Sequence, residues 1–161
     1  HDDTLEPDAL YEIVRAIAAE AAAGRRADVI YTDEDTREAD GSFSEPLFKP
    51  DFNLDLLRAQ AYFGSFVVVA KDAFLAAGRY GSHSGAENYD LALRVLDRAG
   101  EAAIGHIDQM LAHLPRASRR TMNPAAEKAA LVEVHLRPST VSASVRTRPA
   151  SEYQATPRAP A

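Results

Sequence analysis

Three short apolar runs set what this chain can fold into. Val29-Ile30-Tyr31-Thr32, Phe66-Val67-Val68-Val69 and Ile104-Gly105-His106-Ile107 are too short for helices and mostly β-branched, which reads as strands. Around them the apolar period becomes helical. Leu10, Ile13, Val14, Ile17 and Ala21 follow Pro7, a residue tolerated in a first turn. Gly24 stops that run, with Arg25 and Arg26 beside its negative end. Residues 54–57 begin a second helix, residues 71–77 a third ended by Gly78, and residues 89–99 a fourth ended by Gly100. Strands alternating with helices predict an α/β protein, a sheet with flanking helices. Ligands of such sheets gather at the strands' carboxyl ends, which is where Asp2, Asp33 and Asp35 are expected.

The connections carry their own signals. Residues 36–53 read as one long polar connection punctuated by Asp40-Gly41, Pro46 and Pro50, a length usually reserved for function or disorder. Gly81-Ser82-His83-Ser84-Gly85 reads as a flexible loop; a nucleophile elbow needs serine at the third position, which is His83. Asn123-Pro124 caps a predicted helix reaching residue 137. Residues 138–161 are rich in Pro, Ser, Thr and Arg without period, which predicts a disordered tail or linker.

At 161 residues the chain suits one domain, and its net charge of −6 hides an asymmetry. Residues 1–115 carry 10 Lys/Arg against 21 Asp/Glu, a balance of −11, while residues 116–161 carry 8 against 3, or +5. An acidic body argues against nucleic acid and suits a divalent cation that recruits a phosphorylated ligand. With no cysteine there is no thiolate chemistry, in keeping with a reducing compartment. No apolar run approaches the ~20 residues of a transmembrane segment. The default expectation is a cytoplasmic chain. Its basic tail reads first as a solvated linker, second as a peripheral contact for the inner face of the membrane.

Four segments carry chemistry. His1-Asp2-Asp3-Thr4-Leu5-Glu6-Pro7 sets acidic residues before a helix, which suits an N-cap or a set of hard oxygen ligands. Asp33-Glu34-Asp35, with Glu45-Pro46-Leu47-Phe48-Lys49-Pro50-Asp51-Phe52 downstream, reads as a solvated turn or a hydrogen-bonding wall ahead of a second metal site. Glu87-Asn88-Tyr89-Asp90-Leu91-Ala92-Leu93-Arg94 opens a helix, with Asp90 and Arg94 one turn apart as an ion pair. Leu111-Ala112-His113 follows the last expected strand.

In this order the segments resemble bacterial family 2 glycosyltransferases of GT-A fold, over residues 1–137. The resemblance implies that residues 1–115 are the C-terminal portion of such a domain, its N-terminal nucleotide-binding half missing. Residues 116–137 would then be a C-terminal helical region and 138–161 the tail. It implies inverting, metal-dependent transfer of a sugar from a nucleotide-sugar donor to a saccharide acceptor hydroxyl, as in cell-surface polysaccharide or O-antigen biosynthesis. Mn²⁺ or Mg²⁺ would be held by Asp2 and His113. Asp3, Asp33, Asp35, Lys49, Asp90 and Arg94 would bind donor and acceptor. The family's general-base aspartate falls at Asn88, whose amide cannot take a proton at neutral pH. Glu87 is ionisable, but a neighbour at a helix start points elsewhere. The isolated chain is therefore expected neither to bind nucleotide tightly nor to turn over. The alternative is a non-catalytic glycan- or partner-binding module, and a metal-dependent phosphohydrolase is a more distant third.

Overall fold

The computed structural model describes residues 2–81, 86–121 and 132. Among the described residues five strands form one sheet: β1 (Thr4–Leu5), β2 (Val29–Arg37), β3 (Phe43–Leu47), β4 (Val67–Val69) and β5 (Ile104–Pro115). Their order is β1-β5-β2-β3, with β4 also on β2. β5 runs parallel to β2, and every other pairing is antiparallel. Helix α1 (Ala9–Ala22) seals one face, packing Ala9 and Ile13 against Ile30, Ile107 and Leu111. On the other face α2 (Leu54–Ala59) and α4 (Glu87–Ala99) bring Leu57, Leu91 and Val95 onto Val29 and Tyr31. A mixed α/β sheet flanked by helices is the architecture expected from the sequence. Among the described residues no helix is long and apolar enough to cross a membrane.

The helices start and stop where local chemistry dictates. The Asn53 side chain accepts from Leu56 N–H to cap α2. Acidic Glu87 and Asp90 open α4, Arg98 lies in its last turn, and Gly100 at φ 81° ends it. Helix α3 (Lys71–Ala76) ends before Gly78. On α1 only part of the apolar stripe faces inward, since Leu10 and Val14 remain 69% and 64% exposed.

Several elements differ from expectation. β2 does not end at Thr32 but runs nine residues, so Asp33 and Asp35 lie inside the strand rather than beyond it. β5 lines one side of it throughout, and β3 pairs the other side from Glu34. β3 lies within the connection of residues 36–53. Pro46 conceals it, although an edge strand tolerates proline. β4 is half-buried at the sheet's edge rather than fully buried, with Val67 and Val69 packed on one face and Val68 on the other. β5 has twelve residues, three times the expected run, because its register slips twice. Thr32 faces Ile107, Asp33 faces Met110 and Glu34 faces Ala112, and such bulges break the alternation that marks a strand. A short helix, α5 (Arg116–Thr121), follows it directly. Residues 82–85 of the predicted loop, the helix of residues 123–137 apart from Val132, and the tail of residues 138–161 lie outside the described residues.

Candidate functional site

β4 pairs β2 at residues 29–31, and β3 joins it only at Glu34. On that side Thr32 and Asp33 face a gap in the sheet, and Lys49 fills it. The Lys49 ammonium donates to the carbonyls of Thr32 (2.6 Å) and Phe63 (2.9 Å) and to Glu34 Oε2 (3.1 Å). Its side chain is only 1% exposed, so the charge is compensated where it is buried. Glu34 Oε2 also accepts from Ser65 N–H at 3.0 Å. Gly64 closes the pocket at φ +75°, so near the pair that a side chain would collide with both partners.

Alternation along β2 sends Tyr31, Asp33 and Asp35 to one face. Asp33 Oδ1 accepts from Lys49 N–H at 2.9 Å and lies 3.0 Å from Nε2 of His106. The His106 ring stacks on Tyr31, with centroids 4.6 Å apart at 14°, and Phe63 stacks on the opposite side of Tyr31 at 4.3 Å. Burial, with the Tyr62 contact second, pushes the Tyr31 phenol well above its ordinary pKa, so its hydroxyl stays a donor, to Pro50 O at 2.6 Å. The outer nitrogen of His106, Nδ1, lies 3.3 Å from Asp51 Oδ1.

One step further along the same face, buried His113 is held between two carboxylates. Nδ1 lies 2.6 Å from Asp35 Oδ1 and Nε2 3.0 Å from Glu6 Oε1. Register explains both contacts: His113 is the β-partner of Asp35 and of Thr4, two residues before Glu6. Phe43 covers the ring at 4.4 Å. Asp2 Oδ2 accepts from the Ser118 hydroxyl at 2.8 Å, which lowers its pKa, whereas Asp3 is raised by desolvation and by the charge of Asp2.

An oxygen donor and an imidazole are suitable chemistry for a divalent cation shared by Asp2 and His113. The arrangement does not fit one as it stands. His113 points its nitrogens at Asp35 and Glu6, and Asp2 points at Ser118. Among the described residues no three His, Asp or Glu side chains form a group able to hold a metal ion.

At the start of α4, Asn88 donates to the carbonyls of Ser65 (3.2 Å) and Gly64 (3.4 Å) and accepts from the Tyr80 hydroxyl (3.2 Å). A hydrogen-bonded chain thus runs from Asn88 through Ser65 and Glu34 to Lys49 and Asp33. Glu87 is half-buried beside it. Asp90, 1% exposed, forms the expected ion pair with Arg94, whose Nε donates to it at 3.0 Å. Arg94 also donates to the carbonyl of Ala77, tying α4 to the end of α3.

The contacts therefore gather Asp33 with Lys49, with Asn88 linked to them through Ser65 and Glu34, Asp35 with His113, and Asp90 with Arg94, while Asp2 lies apart on Ser118. Sequence reasoning missed Glu6, Glu34 and His106. Glu34 belonged to a named acidic triplet and His106 to a named strand, but the partners that give them roles are remote in sequence. Arg116, also missed, pairs with Glu38 and Glu45 and holds the Glu38 carboxyl below its usual range.

No family model matches this chain. Two known proteins are similar to it. Over 114 residues it is 40% identical to the O-antigen biosynthesis protein RfbC of Myxococcus xanthus, a match covering 70% of this chain and 8% of that protein. Over 112 residues it is 37% identical to the uncharacterized protein y4gI of Sinorhizobium fredii (strain NBRC 101917 / NGR234), covering 69% of this chain and 12% of that protein. The chain thus spans a small part of the length of either relative.

Proposed function

We propose that this chain is part of a glycosyltransferase of cell-surface polysaccharide biosynthesis, moving a sugar from a nucleotide-sugar donor to a saccharide hydroxyl with inversion. The observation that carries this reading is the 40% identity to the O-antigen protein over most of the chain. The structure supports it in kind. Thr32, Asp33, Glu34, Asp35, Thr36, Lys49 and His113 are all buried around β2 and β5. Burying so many polar groups costs stability unless they are matched, and a sheet selected only for folding would place apolar residues there. In this reading Asp33 and Asp35 act from beneath the face, orienting His106 and His113, while Lys49 and Glu34 brace it from the edge. A divalent cation, Mn²⁺ or Mg²⁺, belongs to the reading as a requirement that loss of transfer on chelation would reveal.

The test uses the gene product that carries this chain, incubated with nucleotide sugars, with and without a saccharide acceptor. Acceptor-dependent release of nucleoside diphosphate supports transfer. Release without acceptor would instead point to a phosphohydrolase.

One observation favours a second reading, a non-catalytic glycan- or partner-binding module. The Asn88 amide spends its donors on two backbone carbonyls, a structural use of the position. Saccharide binding with no turnover, unchanged by Asn88→Asp, would decide for the module.

A further inference from the structure

Glycosyl transfer needs a group to take the acceptor's proton, and position 88 offers an amide that cannot. His106 is placed to do so. Stacking on buried Tyr31 fixes the plane of its ring, and its side chain is only 4% exposed. Nε2 meets Asp33 Oδ1 at 3.0 Å, and Asp33 is itself 3% exposed and anchored by Lys49 N–H. Nδ1 faces outward, meeting Asp51 Oδ1 across a longer 3.3 Å. The Asp51 side chain is fully exposed. A neutral imidazole has one ring proton and can serve only one of these carboxylates. Once Asp51 has moved away, the buried, shorter and anchored contact to Asp33 keeps the ring proton, which leaves a lone pair on Nδ1.

We propose that His106, oriented by Asp33, is the general base for the acceptor saccharide, whose hydroxyl enters where the exposed Asp51 carboxylate swings aside. The role rests on the transfer reading above. Nδ1 takes the hydroxyl proton as the acceptor oxygen bonds to the donor's anomeric carbon. The anomeric carbon–oxygen bond to the diphosphate breaks, and the nucleoside diphosphate leaves with the bonding pair. Nε2 keeps its own proton, donated to Asp33, whose carboxylate faces the imidazolium that forms, the division of labour known from aspartate–histidine pairs in acyl transfer. The groups facing His106 are Asp33, Asp51 and the ring of Tyr31, with Lys49 reaching Asp33 through its backbone.

Two measurements test it. Ring-nitrogen NMR shifts of His106 in this chain report the tautomer. A protonated Nε2 that is lost in Asp33→Asn is expected, and a protonated Nδ1 overturns the assignment. In the transfer assay, His106→Gln is expected to lower kcat by about 10²–10⁴-fold with little change in acceptor KM. Where His106→Gln fails to fold, Asp33→Asn keeps the side-chain shape and carries the same expectation. Transfer surviving His106→Gln within about twofold sinks this role alone, whereas no transfer by the unaltered protein sinks the reading beneath it.

Discussion

Gly64→Ala tests whether the Lys49–Glu34 pair holds the sheet together at its gap. A Cβ there would lie 2.5 Å from Lys49 Nζ and 2.7 Å from Glu34 Cδ, far inside contact distance. Alanine at φ +75° carries a left-handed backbone cost of about 1–2 kcal/mol. Parting a buried ion pair costs about 3–5 kcal/mol more, because each charge is left in a poor solvent. The less flexible unfolded chain returns about 0.4–1 kcal/mol. The net loss is roughly 3–6 kcal/mol, on the order of 15 °C in melting temperature. Urea unfolding followed by circular dichroism at constant m-value measures it. In a Lys49→Met/Glu34→Ala background both the pair and the colliding carboxyl are gone, and Gly64→Ala should cost only about 1–2 kcal/mol. An equal loss in both backgrounds, or a loss below about 1 kcal/mol in the unaltered chain, would refute the argument.

Three further substitutions probe the neighbouring contacts. Asn88→Asp sets a carboxylate against the Gly64 and Ser65 carbonyls where an amide now donates, so it should destabilise by about 1–3 kcal/mol in a urea melt. Stability unchanged by Asn88→Asp would mean the amide does not clamp that turn. Arg94→Met removes the charge facing buried Asp90 and the donor to Ala77, and should cost about 3 kcal/mol by thermal melting, the low end for a partly exposed partner. Arg116 holds the folded Glu38 carboxyl below its ordinary 4.5, so this contribution is present above that value and lost as pH falls through the lower folded value. An NMR titration of Glu38 should give a midpoint under 4.5 that returns toward it in Arg116→Gln, and an unshifted midpoint would deny the contact any energetic weight.

What the sequence revealed and what it hid follow from how far each determinant reaches. Helices α1 to α4 were legible because their signals are local: Asn53 caps α2 from within three residues, and Gly100 ends α4 where it stands. The Asp90–Arg94 pair was legible for the same reason, being one helical turn long. The far half of β2 was not. Asp33, Glu34 and Asp35 have low strand propensity, and their short-range setting resembles a turn. What keeps them in the strand is Lys49, 15 or 16 residues away, and His106 and His113, 73 and 78 residues away. β5 was cut short for a related reason, because its two slips in register disrupt the period by which a strand is recognised.

The same long-range pairing explains why the candidate site was only half visible. Each acidic residue singled out from the sequence invited a ligand, because an isolated carboxylate looks unsatisfied. In the fold, Asp33, Asp35 and Asp90 already have partners, and so does Lys49. Such satisfaction does not remove them from chemistry. A buried carboxylate that fixes one nitrogen of an imidazole leaves the other nitrogen committed to whatever stands before it. Asp35 does this for His113 towards Glu6, and Asp33 does it for His106 towards Asp51. The two arrangements differ in what stands at the outer nitrogen. Glu6 is 39% exposed and held near β1, whereas Asp51 is fully exposed on a loop. An incoming hydroxyl displaces the second carboxylate at smaller cost than the first, since less packing and less strand pairing must be given up. That asymmetry is why His106, singled out in the sequence only as part of a strand, is the imidazole placed for proton transfer, and why His113 serves first to fasten β1 to the sheet.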